Sequence, residues 1–215
     1  MKHIALITGA SSGLGREFAR LLAREAVDEL WLVARRGERL RELSAELAVP
    51  CRIFALDLTQ EAALKEFSAA LSAEPPVVRY LVNAAGFGRI GMAADIGAAT
   101  TGRMIALNCR AAAELTERAL PYMERGSRVL EIASCAAFQP ILYLAAYAAT
   151  KAFLLRYSRA PAAGGAARAT ARPASRLFSG PPTATPTSRT RTGAPLRHAS
   201  TMSFHGAARV IWSLV

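Results

Sequence analysis

Five short apolar runs recur in the first part of the chain, at 3–7, 30–33, 51–56, 77–82 and 129–132. They are rich in valine, isoleucine and leucine, and they lack the strict alternation of a strand that has one face in water. This pattern is typical of strands buried on both faces of a parallel sheet. The sequence therefore predicts five buried strands.

Helical periodicity fills the intervals between these runs. Apolar residues recur three and four positions apart in three segments, at Leu14, Phe18, Leu21 and Leu22, at Leu40, Leu43 and Leu47, and at Leu64, Phe67 and Leu71. A further helix is predicted over 147–159, which contains neither glycine nor proline. Strands that alternate with helices indicate an α/β fold, a doubly wound parallel sheet with right-handed crossovers.

The composition changes at residue 160. Six of the 11 prolines and seven arginines follow, without one acidic residue, and no helical or strand period is visible until 208–215. Such a composition is typical of a disordered or poorly packed segment. We therefore expect one domain over 1–159 and an irregular tail over 160–215.

Two explanations of the tail remain open. Codons for alanine, proline, glycine and arginine mostly begin with two G or C bases, and a one-base shift of 160–166 gives codons for leucine, arginine, glutamine, glutamate and valine. Those residues would continue the preceding helix, so we hypothesise an out-of-frame translation of a GC-rich gene. The alternative is a genuine basic tail, and the nucleotide sequence of codons 155–215 distinguishes the two.

The net charge of +11 suggests a nucleic-acid partner, but its distribution argues against one. All 16 acidic residues and 20 of the 27 basic residues precede residue 160, so the tail carries most of the excess. Nucleic-acid-binding segments interleave aromatic side chains with basic ones, whereas 160–203 contains only Phe178. We expect no nucleic-acid partner.

The sequence shows neither the pattern of a membrane-spanning segment nor that of a metal-binding site. No apolar run approaches the roughly 18 residues of a membrane span, and the first run enters a glycine turn rather than a signal-peptide cleavage site. The three cysteines form no CxxC pair, and the three histidines show no ligand spacing. We expect a cytoplasmic protein without membrane attachment or a metal site.

A glycine-rich turn follows the first apolar run, with Thr8, Gly9, Ser11, Ser12, Gly13, Leu14 and Gly15 as candidate cofactor-binding residues. Gly9 permits a tight turn, Gly13 leaves room where a pyrophosphate approaches the helix N-terminus, and Gly15 allows close packing of helix on strand. Strand and helix flank the turn, as this mechanism requires.

Arg35 and Arg36 end the second run, where NAD-binding units usually place an acidic residue. Two guanidiniums suit a 2′-phosphate through paired, charge-assisted hydrogen bonds. A solvated start to the next helix is the alternative. We expect NADP as the cofactor, with NAD less favoured.

These features together resemble the short-chain dehydrogenase/reductase family over 1–159. The turn has the TGxxxGxG spacing of that family, and Asn83, Ala84, Ala85 and Gly86 resemble its NNAG motif, with Ala84 in place of the second asparagine. Ser134 closes the fifth run, 13 residues before Tyr147, and Lys151 follows Tyr147 by four positions, which places both on one helix face. The resemblance implies a Rossmann-type fold.

The resemblance also implies a role for each matching residue. Tyr147 would be the catalytic acid/base, and a nearby ammonium on Lys151 would favour its phenolate near neutral pH. Lys151 and Tyr147 would also hold the nicotinamide ribose, Ser134 would hydrogen-bond the substrate oxygen, and Asn108 would fix a water that relays protons to Lys151. In cofactor binding, Asp57 and Leu58 would contact the adenine, Ala84 and Gly86 the ribose, and Asn83 would stabilise the sheet. The implied reaction is hydride transfer between the cofactor and a small carbonyl or alcohol, in a possible homo-oligomer.

The tail departs from the family, which continues with a sixth strand beside the fifth. We expect the C-terminal strands to be missing or degraded, which would leave 129–132 as an apolar edge unless 208–215 covers it. Two functions therefore remain open. The chain is an NADP-dependent oxidoreductase, or it is a truncated or frameshifted, non-catalytic nucleotide-binding remnant of one.

Overall fold

The computed structural model describes residues 1–159 and the backbone of Met202–Ser203 and Arg209–Leu214. The strands are β1 (His3–Thr8), β2 (Glu29–Ala34), β3 (Cys51–Ala55), β4 (Val77–Asn83), β5 (Arg128–Ile132), β6 (Met202–Ser203) and β7 (Arg209–Leu214). The helices are α1 (Gly13–Leu22), α2 (Gly37–Glu46), α3 (Glu61–Ala73), α4 (Ala93–Ile96), α5 (Ala98–Ile105), α6 (Ala112–Ala119) and α7 (Ala145–Tyr157). The predicted strands and helices are confirmed, with α3 ending before Pro75 and Pro76.

The sheet has the order β3-β2-β1-β4-β5-β7-β6, and its first five strands are parallel. The chain therefore winds outward from β1 in one direction and from β4 in the other. In such sheets a crevice forms beyond the carboxyl ends of the two strands where the order reverses. The fold is Rossmann-type, as expected, and the crevice lies after β1 and β4.

Apolar packing covers both faces of the parallel strands. Along β1, Ala5 and Ile7 pack into a cluster with Phe18 of α1 and Leu40 of α2, while Ile4 and Leu6 belong to the opposite cluster. That second cluster contains the aromatic residues Trp31, Phe54 and Phe67 and the helices α3 and α6. Burial on both faces explains why the strands read as continuous apolar runs.

Strand β5 is covered by the end of the tail, which is the outcome that the sequence left open for 129–132. β5 pairs with β7 in antiparallel register, from Arg128 opposite Leu214 to Ile132 opposite Val210. The segment that forms β7 is rich in β-branched and aromatic residues, which favour strands, and its backbone supplies the partners that β5 otherwise lacks. The remainder of the tail, including the segment of the frameshift hypothesis, lies outside the described residues.

Within the described part of the chain, none of the helices combines the length and the apolar character needed to cross a membrane.

Candidate functional site

Two glycines of the turn after β1 lie too close to other backbone atoms to carry a side chain. Gly9 has φ +69°, and a Cβ there would lie 2.8 Å from the carbonyl oxygen of Ala84. A Cβ on Gly15 would overlap the carbonyl oxygen of Gly9, so α1 packs directly against the turn. Gly13 has φ +56° and nothing within 4 Å of a Cβ position. The first two glycines are therefore required by packing, whereas Gly13 faces open space.

Thr8 ties this turn to the end of β4. Its buried hydroxyl accepts a hydrogen bond from the Ala85 amide at 3.0 Å and donates to the Val82 carbonyl at 3.4 Å. Thr8 therefore fixes the two strand ends that form the crevice, and its side chain acts on the turn rather than inside the cleft.

Arg36 lies over the glycine turn. Its Nη2 donates to the hydroxyl of Ser12 at 2.9 Å and to that of Ser11 at 3.2 Å. Arg35 and Asp57 line the same end of the cleft. Burial opposes ionisation of Asp57, but hydrogen bonds from Thr59 to its Oδ1, together with the charges of Arg35 and Arg103, hold its pKa below the ordinary value. This end of the cleft thus presents two guanidiniums, two hydroxyls and one carboxylate.

Asn83 lies behind the cleft, inside the sheet. It is buried, and its Nδ2 donates to the carbonyl of Ala112 at 3.3 Å, to the hydroxyl of Thr116 at 2.9 Å and to the carboxyl of Glu131 at 2.8 Å. These bonds connect β4, α6 and β5.

Asn108 lies in a single π-helical turn, Ala106–Ala111, between α5 and α6. Its fully buried side chain pairs with the Phe87 peptide, accepting from the amide at 3.0 Å and donating to the carbonyl at 2.9 Å. It also donates to the hydroxyl of Thr150 on α7 at 3.0 Å. Asn108 therefore connects the loop after β4 with α7. Wider turns of this kind occur frequently at functional sites.

Tyr147 and Lys151 both face the cleft from α7. The Lys151 ammonium nitrogen is buried, donates to the Ile132 carbonyl at 2.6 Å, and lies 5.8 Å from the centre of the Tyr147 ring. The loop after β4 packs on that ring, since a Cβ on Gly88 would lie 2.7 Å from Tyr147 Cδ2. The Lys151 side chain is thus anchored at the end of β5, beside the phenol.

Ser134 follows β5 and begins a short 3₁₀ turn, Cys135–Ala137. Its hydroxyl oxygen accepts from the Ala136 amide at 3.2 Å, and the side chain is almost fully buried. It lies outside the residues that line the cleft.

The cleft has a volume of about 420 Å³ and brings together most of the predicted site. The predicted residues that line it are Gly9, Ser11, Ser12, Gly13, Leu14, Arg35, Arg36, Asp57, Leu58, Ala84, Gly86, Tyr147 and Lys151. Thr8, Gly15, Asn83, Asn108 and Ser134 lie beside or behind it. Seven further lining residues were not predicted from the sequence, namely Ala34, Leu56, Phe87, Gly88, Leu107, Ile132 and Ala133, and Ala85 of the predicted motif also lines the cleft. Most of these follow the carboxyl ends of β2 to β5, and that position alone could have identified them.

The comparisons with known proteins agree with this fold. The family model described as short chain dehydrogenase matches residues 3–169, so the chain belongs to the short-chain dehydrogenase family. It is similar to serine 3-dehydrogenase of Rhizobium radiobacter, with 35% identity over 163 residues, covering 74% of this chain and 64% of that protein. The chain spans less than two thirds of the length of this protein and of other curated relatives that it matches.

Two solved structures resemble the model at similar levels of identity. A bulky-bulky ketone specific alcohol dehydrogenase from Comamonas testosteroni is 30% identical with a TM-score of 0.68, covering 78% of this chain and 68% of that one. A short-chain dehydrogenase from Sphingobium yanoikuyae, in complex with NADPH, is 32% identical with a TM-score of 0.63, covering 73% and 63%.

Proposed function

We propose that the protein is an NADP-dependent oxidoreductase that transfers a hydride between its nicotinamide cofactor and a small carbonyl or alcohol substrate. The observation that carries this proposal is a single cleft lined at one end by the glycine turn and at the other by Tyr147 and Lys151. Cofactor-binding and proton-transferring groups therefore share one space, as this reaction requires.

The residues at the cleft fit a dinucleotide. Gly13 opens onto the cleft at the N-terminus of α1, where backbone amides and the helix dipole favour a pyrophosphate. Arg35 and Arg36 would hold the 2′-phosphate, and Asp57 and Leu58 would border the adenine. Ala84, Gly86, Tyr147 and Lys151 would line the ribose positions. The NADPH complex of the Sphingobium relative supports NADP as the cofactor.

The cofactor, when bound, would supply or accept the hydride. In reduction, Tyr147 would donate the proton that the new alcohol oxygen needs, and in oxidation it would take that proton back. The Lys151 ammonium would stabilise the phenolate left behind, because the nitrogen is anchored close to the ring. Ser134 would donate a hydrogen bond to the substrate oxygen. Asn108 would hold the loop that packs on Tyr147. As the family resemblance implies, it would also fix a water near Lys151.

Cofactor binding and turnover test this proposal together. NADPH fluorescence measures binding, and loss of NADPH absorbance measures turnover with aldehydes and ketones of increasing size. The names of the relatives, which include a serine dehydrogenase and a bulky-ketone alcohol dehydrogenase, guide this choice of substrates. Turnover of any member supports the oxidoreductase. Binding without turnover across the panel supports the second function, a non-catalytic nucleotide-binding remnant.

Removal of the Arg36 charge should reduce the preference for NADP over NAD. A hydrogen bond to a charged group contributes about 1.5–3 kcal/mol, so Arg36→Ala should weaken NADPH binding by about 10- to 150-fold and leave NADH binding nearly unchanged. Adding Arg35→Ala should erase most of the remaining preference. Arg39→Ala is the matched control, because it removes the same charge from an exposed position outside the cleft. Equal affinity of the unmodified protein for both cofactors would contradict the NADP assignment.

A further inference from the structure

Glu131 of β5 carries a carboxyl group buried inside the sheet, at 1% exposure. The mechanism proposed above does not use it. It is nevertheless the residue before Ile132, whose carbonyl accepts the hydrogen bond from the Lys151 ammonium. Burying an ionised carboxylate costs several kcal/mol unless a partner compensates it. The hydrogen bonds and charges around this carboxyl therefore decide which form it takes.

The two oxygens of this carboxyl differ in their partners. Oε1 accepts from Asn83 Nδ2 at 2.8 Å, and the single proton of the Thr116 hydroxyl is shared between Oε1 at 3.0 Å and the Ala112 carbonyl at 2.9 Å. Among the described residues, Glu131 Oε2 and Asn83 Oδ1 are buried without a hydrogen-bond partner. The orientation of the Asn83 amide is fixed, because its nitrogen also faces the Ala112 carbonyl, which can only accept. With the carboxylate ionised, two neighbouring groups are thus left with unpaired acceptors.

A proton on Oε2 relieves this mismatch. It converts one acceptor into a donor, so the acid and the Asn83 amide can form a pair joined by two hydrogen bonds. A buried acceptor that is left unpaired is energetically costly, which favours the neutral acid. The nearby Lys151 ammonium favours the opposite form, because it attracts a carboxylate.

Burial displaces both titrations toward the same pH range. Burial raises the pKa of Glu131 to about 7, against the opposing hydrogen bonds of Asn83 and Thr116 and the charge of Lys151. Burial lowers the pKa of Lys151 to about 8, against the opposing charges of Glu131 and Cys109. The charge of Glu131 also acts on Tyr157 of α7, where it adds to burial in raising the pKa of the phenol. Each group of the pair thus changes charge near neutral pH, where the charge of its partner matters.

We propose that Glu131 is a positioning residue for Lys151: as a neutral acid it pairs with Asn83, and as a carboxylate it stabilises the ammonium that the carbonyl of Ile132, its neighbour in β5, anchors. The importance of this pair for hydride transfer rests on the proposed function, since it acts through Lys151. The coupling itself belongs to the folded protein and is measured without turnover.

The chain contains only three lysines, Lys2, Lys65 and Lys151, so lysine labelled with ¹³C at its ε-carbon gives three NMR signals. The side chains of Lys2 and Lys65 are 64% and 71% exposed and serve as internal references. The signal that disappears in Lys151→Met is assigned to Lys151, and we expect it to titrate at a lower pH than the other two. In Glu131→Gln the carboxylate is gone, so the midpoint of Lys151 should fall further, by about one pH unit.

Glu114→Gln is the matched control, because it removes one carboxylate from α6 that pairs with Arg118 at the surface. It should leave the Lys151 midpoint unchanged. Should Glu131→Gln fail to fold, Thr116→Val removes one hydrogen bond that stabilises the carboxylate and should shift Lys151 in the same direction by a smaller amount. An identical Lys151 midpoint in the unmodified protein and in the folded variant would overturn the proposal. Absence of reductase activity would contradict the proposed function, but the NMR titration would still test the coupling between Glu131 and Lys151.

Discussion

Tyr147→Phe should reduce turnover by about 10²- to 10⁴-fold, the usual contribution of a positioned general acid or base. The substitution removes the hydroxyl proton and keeps the ring that packs against Gly88 beside Lys151. NADPH affinity should fall by no more than about tenfold, since at most one hydrogen bond of about 0.5–1.5 kcal/mol is lost. Steady-state kinetics on any substrate from the panel, combined with a fluorescence titration, measures both quantities.

Tyr122→Phe provides the matched control for this prediction. It makes the same chemical change at a tyrosine whose hydroxyl contacts Ser72 and which lies outside the residues that line the cleft. Its turnover should equal that of the unmodified protein. A Tyr147→Phe enzyme that keeps turnover within about twofold would show that another group supplies the proton.

Gly15→Ala should be strongly destabilising, because Gly15 is the described glycine at which an added Cβ would lie closest to other backbone atoms. The new Cβ would overlap the carbonyl oxygen of Gly9. On its other side, Gly9 lies close against the backbone of Ala84. Backbone on both sides leaves little room to relax, so we expect a loss of about 1–3 kcal/mol or more in the free energy of unfolding. Displacement of the turn should also weaken NADPH binding. Thermal unfolding with and without NADPH measures the two effects.

Gly102→Ala is the control for the added methyl group. Gly102 lies in α5 with nothing within 4 Å of a Cβ position, and alanine is the better helix former. This variant should be as stable as the unmodified protein or up to about 1 kcal/mol more stable. If Gly15→Ala melted at the same temperature as Gly102→Ala, the close packing of α1 on the glycine turn would be incorrect.

The features of this protein that depend on local chemistry could be predicted from the order of its residues. Five apolar runs gave the parallel strands because burial on both faces leaves no polar alternation. The spacing of Gly9, Gly13 and Gly15 identified the turn, and the four-residue spacing placed Tyr147 and Lys151 on one face of α7. These signals extend over a few residues, so they can be read without knowing the partners across the fold.

Only the tertiary structure decided which distant groups meet. Glu131 reads in the sequence as one acidic residue within an apolar run, and its contact with Asn83 crosses 48 positions. The pairing of Asn108 with the Phe87 peptide and the pairing of β5 with β7 depend in the same way on chain segments far apart in sequence. A hydrogen bond to a backbone carbonyl, such as that from Lys151 to Ile132, cannot be predicted from the pattern of side chains. Burial gives these contacts their energetic weight, and burial is a property of the assembled sheet and helices.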